Sequence, residues 1–192
     1  MVEAANIAAI LLAAGTSQRF GAEDKLLAPL AGEPLALHAA RRIIELAPGR
    51  RIAVCPDDHG MLSRQLAAEG FEIVVNPHSE RGLSQSLSRG IAEAAFGPEV
   101  AALICLADMP LVSTGHLRNL LTRFDPSTAP VVATTNGEAT MPPALFDRSL
   151  FEKLQVGEGD RGGKALLAGA ALVQAHADEL VDIDRPGDLP AR

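Results

Sequence analysis

Tryptophan and tyrosine are absent from this chain, and six phenylalanines are its only aromatic residues. Proteins that hold nucleic acid by stacking bases need exposed rings, so such a ligand finds little to meet here. A basic surplus is missing too: 17 Lys and Arg stand against 24 Asp and Glu, a net charge of −7. Nucleic-acid binders usually carry the opposite balance. Cysteine is scarce. Cys55 and Cys105 each sit in an apolar run with no second Cys or His at zinc-ligand spacing, and they read as small buried hydrophobes. Long hydrophobic runs are lacking as well, since residues 7–14 are far too few to span a bilayer. The first six residues hold Glu3 and no basic residue, unlike a secretory signal. The expectation is a cytoplasmic protein with no nucleic acid and no membrane as partner.

What is present suits one globular domain over residues 1–192. Hydrophobic residues at 47% and charged residues at 21% allow a substantial core without staples. Residues 7–13 form a continuous apolar run ending before Gly15, which predicts a strand buried on both faces. In 34–47, Leu37, Ala40, Ile43, Ile44 and Ala47 recur at helical spacing, with Pro34 in the first turn. The alternation then repeats. Strands are predicted at 51–55, 71–75, 100–107 and 131–135, and helices at 59–69, 84–95 with Ser84 as N-cap, and 114–124. The tail reads as extended over 139–146, helical near 149–154 and 162–168, and strand at 171–175 and 181–183. This order predicts an α/β fold: three layers, α/β/α and Rossmann-like, around a mostly parallel sheet.

In open parallel sheets, ligands gather beyond the carboxyl ends of the strands. The first such end is the loop from Ala13 to Lys25. Its small residues Ala13, Ala14, Gly15 and Thr16 let main chain approach a ligand, and Gly15 and Gly21 permit positive φ. Successive N–H groups would form an anion nest, with Arg19 as a planar fork and Lys25 as a mobile charge. Two glycine motifs fail. Five residues separate Gly15 from Gly21 and Ala22 follows, so this is no P-loop; Thr16 and Ser17 break a dinucleotide fingerprint. From composition alone, a solvated loop with two cations on its rim explains it equally well.

Asp108 follows the apolar run 103–107 and precedes Met109 and Pro110. A carboxylate there suits Mg²⁺, which takes one or two carboxylates plus substrate phosphates; capping the turn before Pro110 is the alternative. A second acidic group, Asp182, Asp184 and Asp188, lies near the end of the chain and reads equally as a solvated turn. Gly82, Ser84 and Ser86 open the helix after the third strand, where free N–H groups and hydroxyls suit a phosphate or a base edge.

The string Leu12-Ala13-Ala14-Gly15-Thr16-Ser17-Gln18-Arg19-Phe20-Gly21, with Lys25, resembles the LAAGxSxRxGxxK signature of nucleotidyltransferases, and of the MobA-like family in particular. Leu106-Ala107-Asp108-Met109-Pro110 is similar to that family's LADMP element. Asp182-Ile183-Asp184-Arg185-Pro186 is similar to its DIDTP ending, with Arg185 in place of Thr. Gly82-Leu83-Ser84-Gln85-Ser86-Leu87 resembles its GxSxSL element. The segments at 140–146 and 159–164 resemble its G-x-P-x-L-F and GDxGAR elements, with Met141-Pro142 and Gly163-Lys164 departing from them. The resemblance implies a role for each matched residue. Leu12, Ala13, Ala14, Gly15, Thr16, Ser17, Arg19, Lys25, Gly82, Ser84 and Ser86 would bind the nucleotide. Asp108 and Asp184 would hold Mg²⁺, with Asp182 the other choice for the second ligand. Pro143, Asp160 and Arg161 would meet the acceptor, and Lys25, Arg19 and Asp108 would carry catalysis. The implied reaction is transfer of CMP from CTP to molybdopterin or the molybdenum cofactor, releasing pyrophosphate. The Leu-Ala-Ala-Gly form resembles the CTP-using branch. A guanylyltransferase, or an enzyme acting on a sugar or alditol phosphate, is the same-class alternative. A non-catalytic accessory protein is the other, with a molybdoenzyme or its chaperone as partner in either case. Such transfer needs positioning and charge rather than a protein nucleophile, and the five His read as surface or structural.

Overall fold

Residues 7–12 are apolar without interruption, and such a run survives in water only if both faces are covered. The computed structural model describes residues 1–15, 24–79, 82–156, 165–181 and 183. In chain order its elements are β1 (Ile7–Leu12), β2 (Pro29–Leu30), β3 (Glu33–Pro34), α1 (Leu35–Leu46), β4 (Arg50–Cys55), α2 (Met61–Ala68) and β5 (Glu72–Val75). They continue with α3 (Leu83–Ala94), β6 (Ala101–Leu106), α4 (Thr114–Arg123), β7 (Val131–Thr135), β8 (Thr140–Asp147), α5 (Phe151–Val156) and β9 (Ala171–Gln174). All six residues of β1 are buried. One face of the sheet packs on α1, α2 and α4 through Leu11, Ile43, Leu66, Leu103 and Leu117. The other packs on α3 and α5 through Ile10, Val54, Leu87, Ile91 and Phe151. The three layers follow.

The large sheet has the order β5-β4-β1-β6-β8-β7-β9. Strands β5, β4, β1 and β6 run parallel, with Ile10 opposite both Ile52 and Ile104. Their carboxyl ends, with the loops after β1 and β6, therefore share one end of the molecule. Strand β8 is antiparallel to both β6 and β7, while β9 is parallel to β7. The reversal has a local cause. Only residues 136–139 join β7 to β8, too few for a crossover, and Asn136-Gly137 makes the turn. Asn136 Oδ1 accepts from the N–H groups of Glu138 and Ala139, and Gly137 has a φ of 98°.

Three local expectations change. Pro34 is not in the first turn of α1: it ends β3 with ψ 133° and serves as N-cap. Ser84 does not cap α3, because Gly82, at φ 101°, is the N-cap two residues earlier and Ser84 is already helical. Neither Val181 nor Ile183 belongs to a strand. Among the described residues, no helix is long and apolar enough to cross a membrane.

Candidate active site

At the end of β1 the sheet frame continues for one residue. The Ala13 N–H donates to the Val54 carbonyl at 2.8 Å, and the Ala107 N–H donates to the Leu12 carbonyl at 3.1 Å. The side chains of Leu12, Ala13 and Ala14 are buried in the core. Only main chain is left to face a ligand here, and Gly15 is where it emerges, exposed. A Cβ at Gly15 would meet nothing within 4 Å, and its φ lies outside the left-handed region. Gly15 does not use the positive φ that glycine permits, and among the described residues nothing would meet a side chain there.

Lys25 is held from both sides. Asp24 Oδ1 accepts from the Leu26 N–H at 3.0 Å, capping a 3-10 turn at Lys25–Leu27 that Leu26 anchors in the core. The Lys25 side chain, 11% exposed, puts Nζ 2.8 Å from Asp108 Oδ2. Asp108 stands just past β6, where the Met109 N–H donates back to the Leu106 carbonyl and starts the turn that leaves the strand. Its own carbonyl accepts from the N–H of Ile183 at 3.1 Å, and Ile183 is fully buried. Two residues widely separated in sequence thus form an ion pair at one end of the sheet, with Ile183 bonded to the main chain of one of them.

Helix α3 lies over β1 and β4, with Gly90 against Ile10 and Val54. Arg50, at the start of β4, donates to the Glu93 carbonyl near the end of the helix. The helix therefore runs opposite to the strands, and its N-terminus rises beside their carboxyl ends. Among the described residues no side chain caps that N-terminus; the Gln85 N–H donates to the Gly82 carbonyl, and the N–H groups of Leu83 and Ser84 are those placed to meet an anion. Ser84 is half-buried, whereas Ser86 is buried and accepts from Asn76 Nδ2 at 2.9 Å. Asn76, fully buried, also accepts from the His78 N–H, and its own N–H donates to the Cys55 carbonyl. It ties the ends of β4 and β5 to α3. The sequence did not single out Asn76; a polar residue closing an apolar strand before the Gly-Ser segment was the available signal.

Pro143 is buried and borders a hollow with Cys105, Leu106 and Met109, next to Asp108 in the chain. Thr16, Ser17, Arg19, Asp160, Arg161, Asp182 and Asp184 lie outside the described residues. Among the described residues, no three His, Cys, Asp or Glu side chains gather as a metal cluster. Asp108 still offers hard oxygen donors on a carboxylate about a quarter exposed, with Oδ2 meeting Lys25 (26% side-chain exposure). One or two such carboxylates with substrate phosphates suffice for Mg²⁺, so the residues fit that ion. Nucleophilic thiol chemistry does not fit. Burial pushes the Cys55 thiol up to about 11 and the Cys105 thiol to about 12.

The MobA-like NTP transferase domain matches residues 9–179. The chain belongs to this family. It is 30% identical over 190 residues to a purine catabolism protein, PucB, of Bacillus subtilis, covering 92% of this chain and 91% of that protein. It is 31% identical to a probable molybdenum cofactor guanylyltransferase of Pyrococcus horikoshii, covering 84% of this chain and 79% of the other. In fold it superposes on Rv0371c of Mycobacterium tuberculosis with a TM-score of 0.79 at 21% identity, over 98% of this chain and 96% of that one. A manganese complex of the same mycobacterial protein has also been solved; it gives a TM-score of 0.72 at 19% identity, over 95% of each chain. Within the MobA-like family, the Lys25–Asp108 pair falls on two of the motif segments that the sequence singled out.

Proposed function

We propose that the protein is a Mg²⁺-dependent nucleotidyltransferase, one domain over residues 1–192, that transfers CMP from CTP to molybdopterin. The observation that carries this is the 2.8 Å Lys25–Asp108 pair at the carboxyl end of the sheet, where β1 and β6 run side by side. A cation donor and a carboxylate in contact are what a metal-triphosphate ligand would separate, the ammonium turning to phosphate oxygens. An oxygen of the acceptor phosphate attacks the α-phosphorus in line. The bond from that phosphorus to the bridging oxygen breaks, and pyrophosphate leaves with the electron pair. When bound, Mg²⁺ supplies charge neutralisation at these oxygens, held by Asp108 and, on the family resemblance, Asp184. Lys25 and Arg19 carry the remaining positive charge, and the N-terminus of α3, with Gly82 and Ser84, receives the nucleotide. Pro143, Asp160 and Arg161 meet the acceptor. The protein acts in the cytoplasm and hands its product to a molybdoenzyme or its chaperone.

GTP is the second reading, favoured by the Pyrococcus relative's name. The side chains of Ala13 and Ala14 are buried, so any preference for CTP from these positions acts through how closely main chain and base approach. Pyrophosphate release with CTP, GTP, UTP and ATP, each with molybdopterin and Mg²⁺, tests both. CTP is expected to be the best substrate, and Asp108→Asn to lower kcat by about 10²–10³-fold. No pyrophosphate from any of the four would overturn the transferase reading.

A further inference from the structure

Strand β8 lies between β6 and β7, yet it contains Pro142 and Pro143, which have no N–H to give either neighbour. Its ladder with β6 stops at Ala144 opposite Ile104. Its ladder with β7 jumps from Ala144 opposite Ala133 to Met141 opposite Thr134, leaving the two prolines as a bulge. From Cys105 onward β6 and β8 are no longer paired, and Asp108 stands at the end of the β6 side of that opening.

The carbonyl of Pro143, inside that bulge, takes a side-chain donor. Thr134 Oγ1, fully buried, meets it at 2.8 Å. A carbonyl only accepts, so the single hydroxyl proton of Thr134 goes to Pro143. His116 Nε2 lies 2.8 Å from the same hydroxyl oxygen. With that proton already committed, His116 must be the donor, and its imidazole carries a proton on Nε2. Burial holds His116 below the ordinary histidine range, against the opposing charge of Glu179, so the ring is neutral near neutral pH. The start of α4 is fixed in turn: Ser113 Oγ accepts from the His116 N–H, and the Ser113 N–H donates to Glu179 Oε1. A line of donors therefore runs from α4 through Thr134 to the bulge.

In-line transfer brings the attacking group in opposite the leaving group. With the triphosphate on the β1 side of Asp108, where Gly15 and Lys25 sit, the second substrate enters from the side where β6 and β8 part. Pro143 lies there near Leu106 and Met109, around a hollow no larger than about one water that Ala39 of α1 and Leu117 of α4 close from the helix side. We propose that Thr134 and His116 are positioning residues for the phosphate-bearing acceptor, holding the Pro143 bulge and so the edge of the opening through which it reaches Asp108. This rests on the transferase reading above.

The test is steady-state kinetics with CTP and molybdopterin on Thr134→Val, Thr134→Ser, His116→Leu and His116→Gln. Valine keeps the shape of threonine and loses the donor; serine keeps the donor, and glutamine can offer an N–H near the place of Nε2. Thr134→Val and His116→Leu are expected to raise the KM for molybdopterin roughly tenfold, with the KM for CTP within about twofold. Thr134→Ser and His116→Gln are expected to stay close to the unaltered protein. If His116→Leu fails to fold, the Thr134→Val and Thr134→Ser pair decides alone. Turnover by the unaltered protein, with Thr134→Val moving both KM values together or neither, overturns the inference and leaves the transferase reading standing. No pyrophosphate from the unaltered protein overturns both.

Discussion

Lys25 and Asp108 neutralise each other at 2.8 Å, so a divalent cation that needs the carboxylate must compete with the ammonium. Phosphate oxygens would relieve that competition by drawing Lys25 away. Lys25→Met is therefore expected to bind Mn²⁺ more tightly than the unaltered protein when nucleotide is absent, while turnover falls by about 10²–10³-fold. Mn²⁺ titration followed by EPR reads the first effect; equal affinities would mean that the ammonium does not compete. CTP should raise Mn²⁺ affinity strongly in the unaltered protein and weakly in the variant. Both residues were legible in the sequence, because Asp108 stands just past an apolar strand, Lys25 closes the loop after another, and each belongs to a recognisable string. Their contact was not, since it depends on β1 and β6 being neighbours. Ser86 shows the opposite limit. Its motif marked it as a ligand contact, but helical geometry turns it inward, where it serves Asn76.

At the scale of single elements, α3 depends on how closely it approaches the sheet. A Cβ on Gly90 would lie 2.6 Å from Ile10 Cγ2 and 3.1 Å from Val54 Cγ2, both on stiff β-branched side chains. Gly90→Ala is expected to destabilise by about 1–3 kcal/mol through overpacking, outweighing the roughly 1 kcal/mol gain in helix propensity. Denaturant titration measures the balance, and a stabilised variant would refute the close contact. Shifting α3 should also raise the KM for CTP, since its N-terminus sits at the candidate site. Helix α4 makes a pH prediction. The folded protein holds His116 below the ordinary value of 6.5, so the unfolded chain takes up this proton first as pH falls. Stability fully present above about pH 6.5 is then lost as pH drops toward the depressed folded value. Melting temperatures at about pH 7.5 and about pH 5.5 should differ less in His116→Gln than in the unaltered protein. A single buried His on a helix face gives no such signal in sequence, because its partner Thr134 belongs to a strand beyond a loop.

Across the whole molecule, the strand–helix alternation was legible because each buried strand is a short apolar run and each helix has one apolar face. The direction of β8 was less so. Two prolines made it read as merely extended, although Asn136-Gly137 already held the hairpin turn. The sheet order adds a consequence in time rather than space. Strand β1 comes first in the chain, and one of its two partners, β4, follows after a single helix; the other, β6, is three helices away. During synthesis β1 must wait with one edge bare, apolar on both faces, until residues 101–106 emerge. Nascent chains that stop at residue 100 are expected to be protease-sensitive and chaperone-bound, and those carried past β8 to be resistant. The central strand β1 thus precedes the other strands of its sheet in the chain, yet waits for the sixth before both its edges are secured.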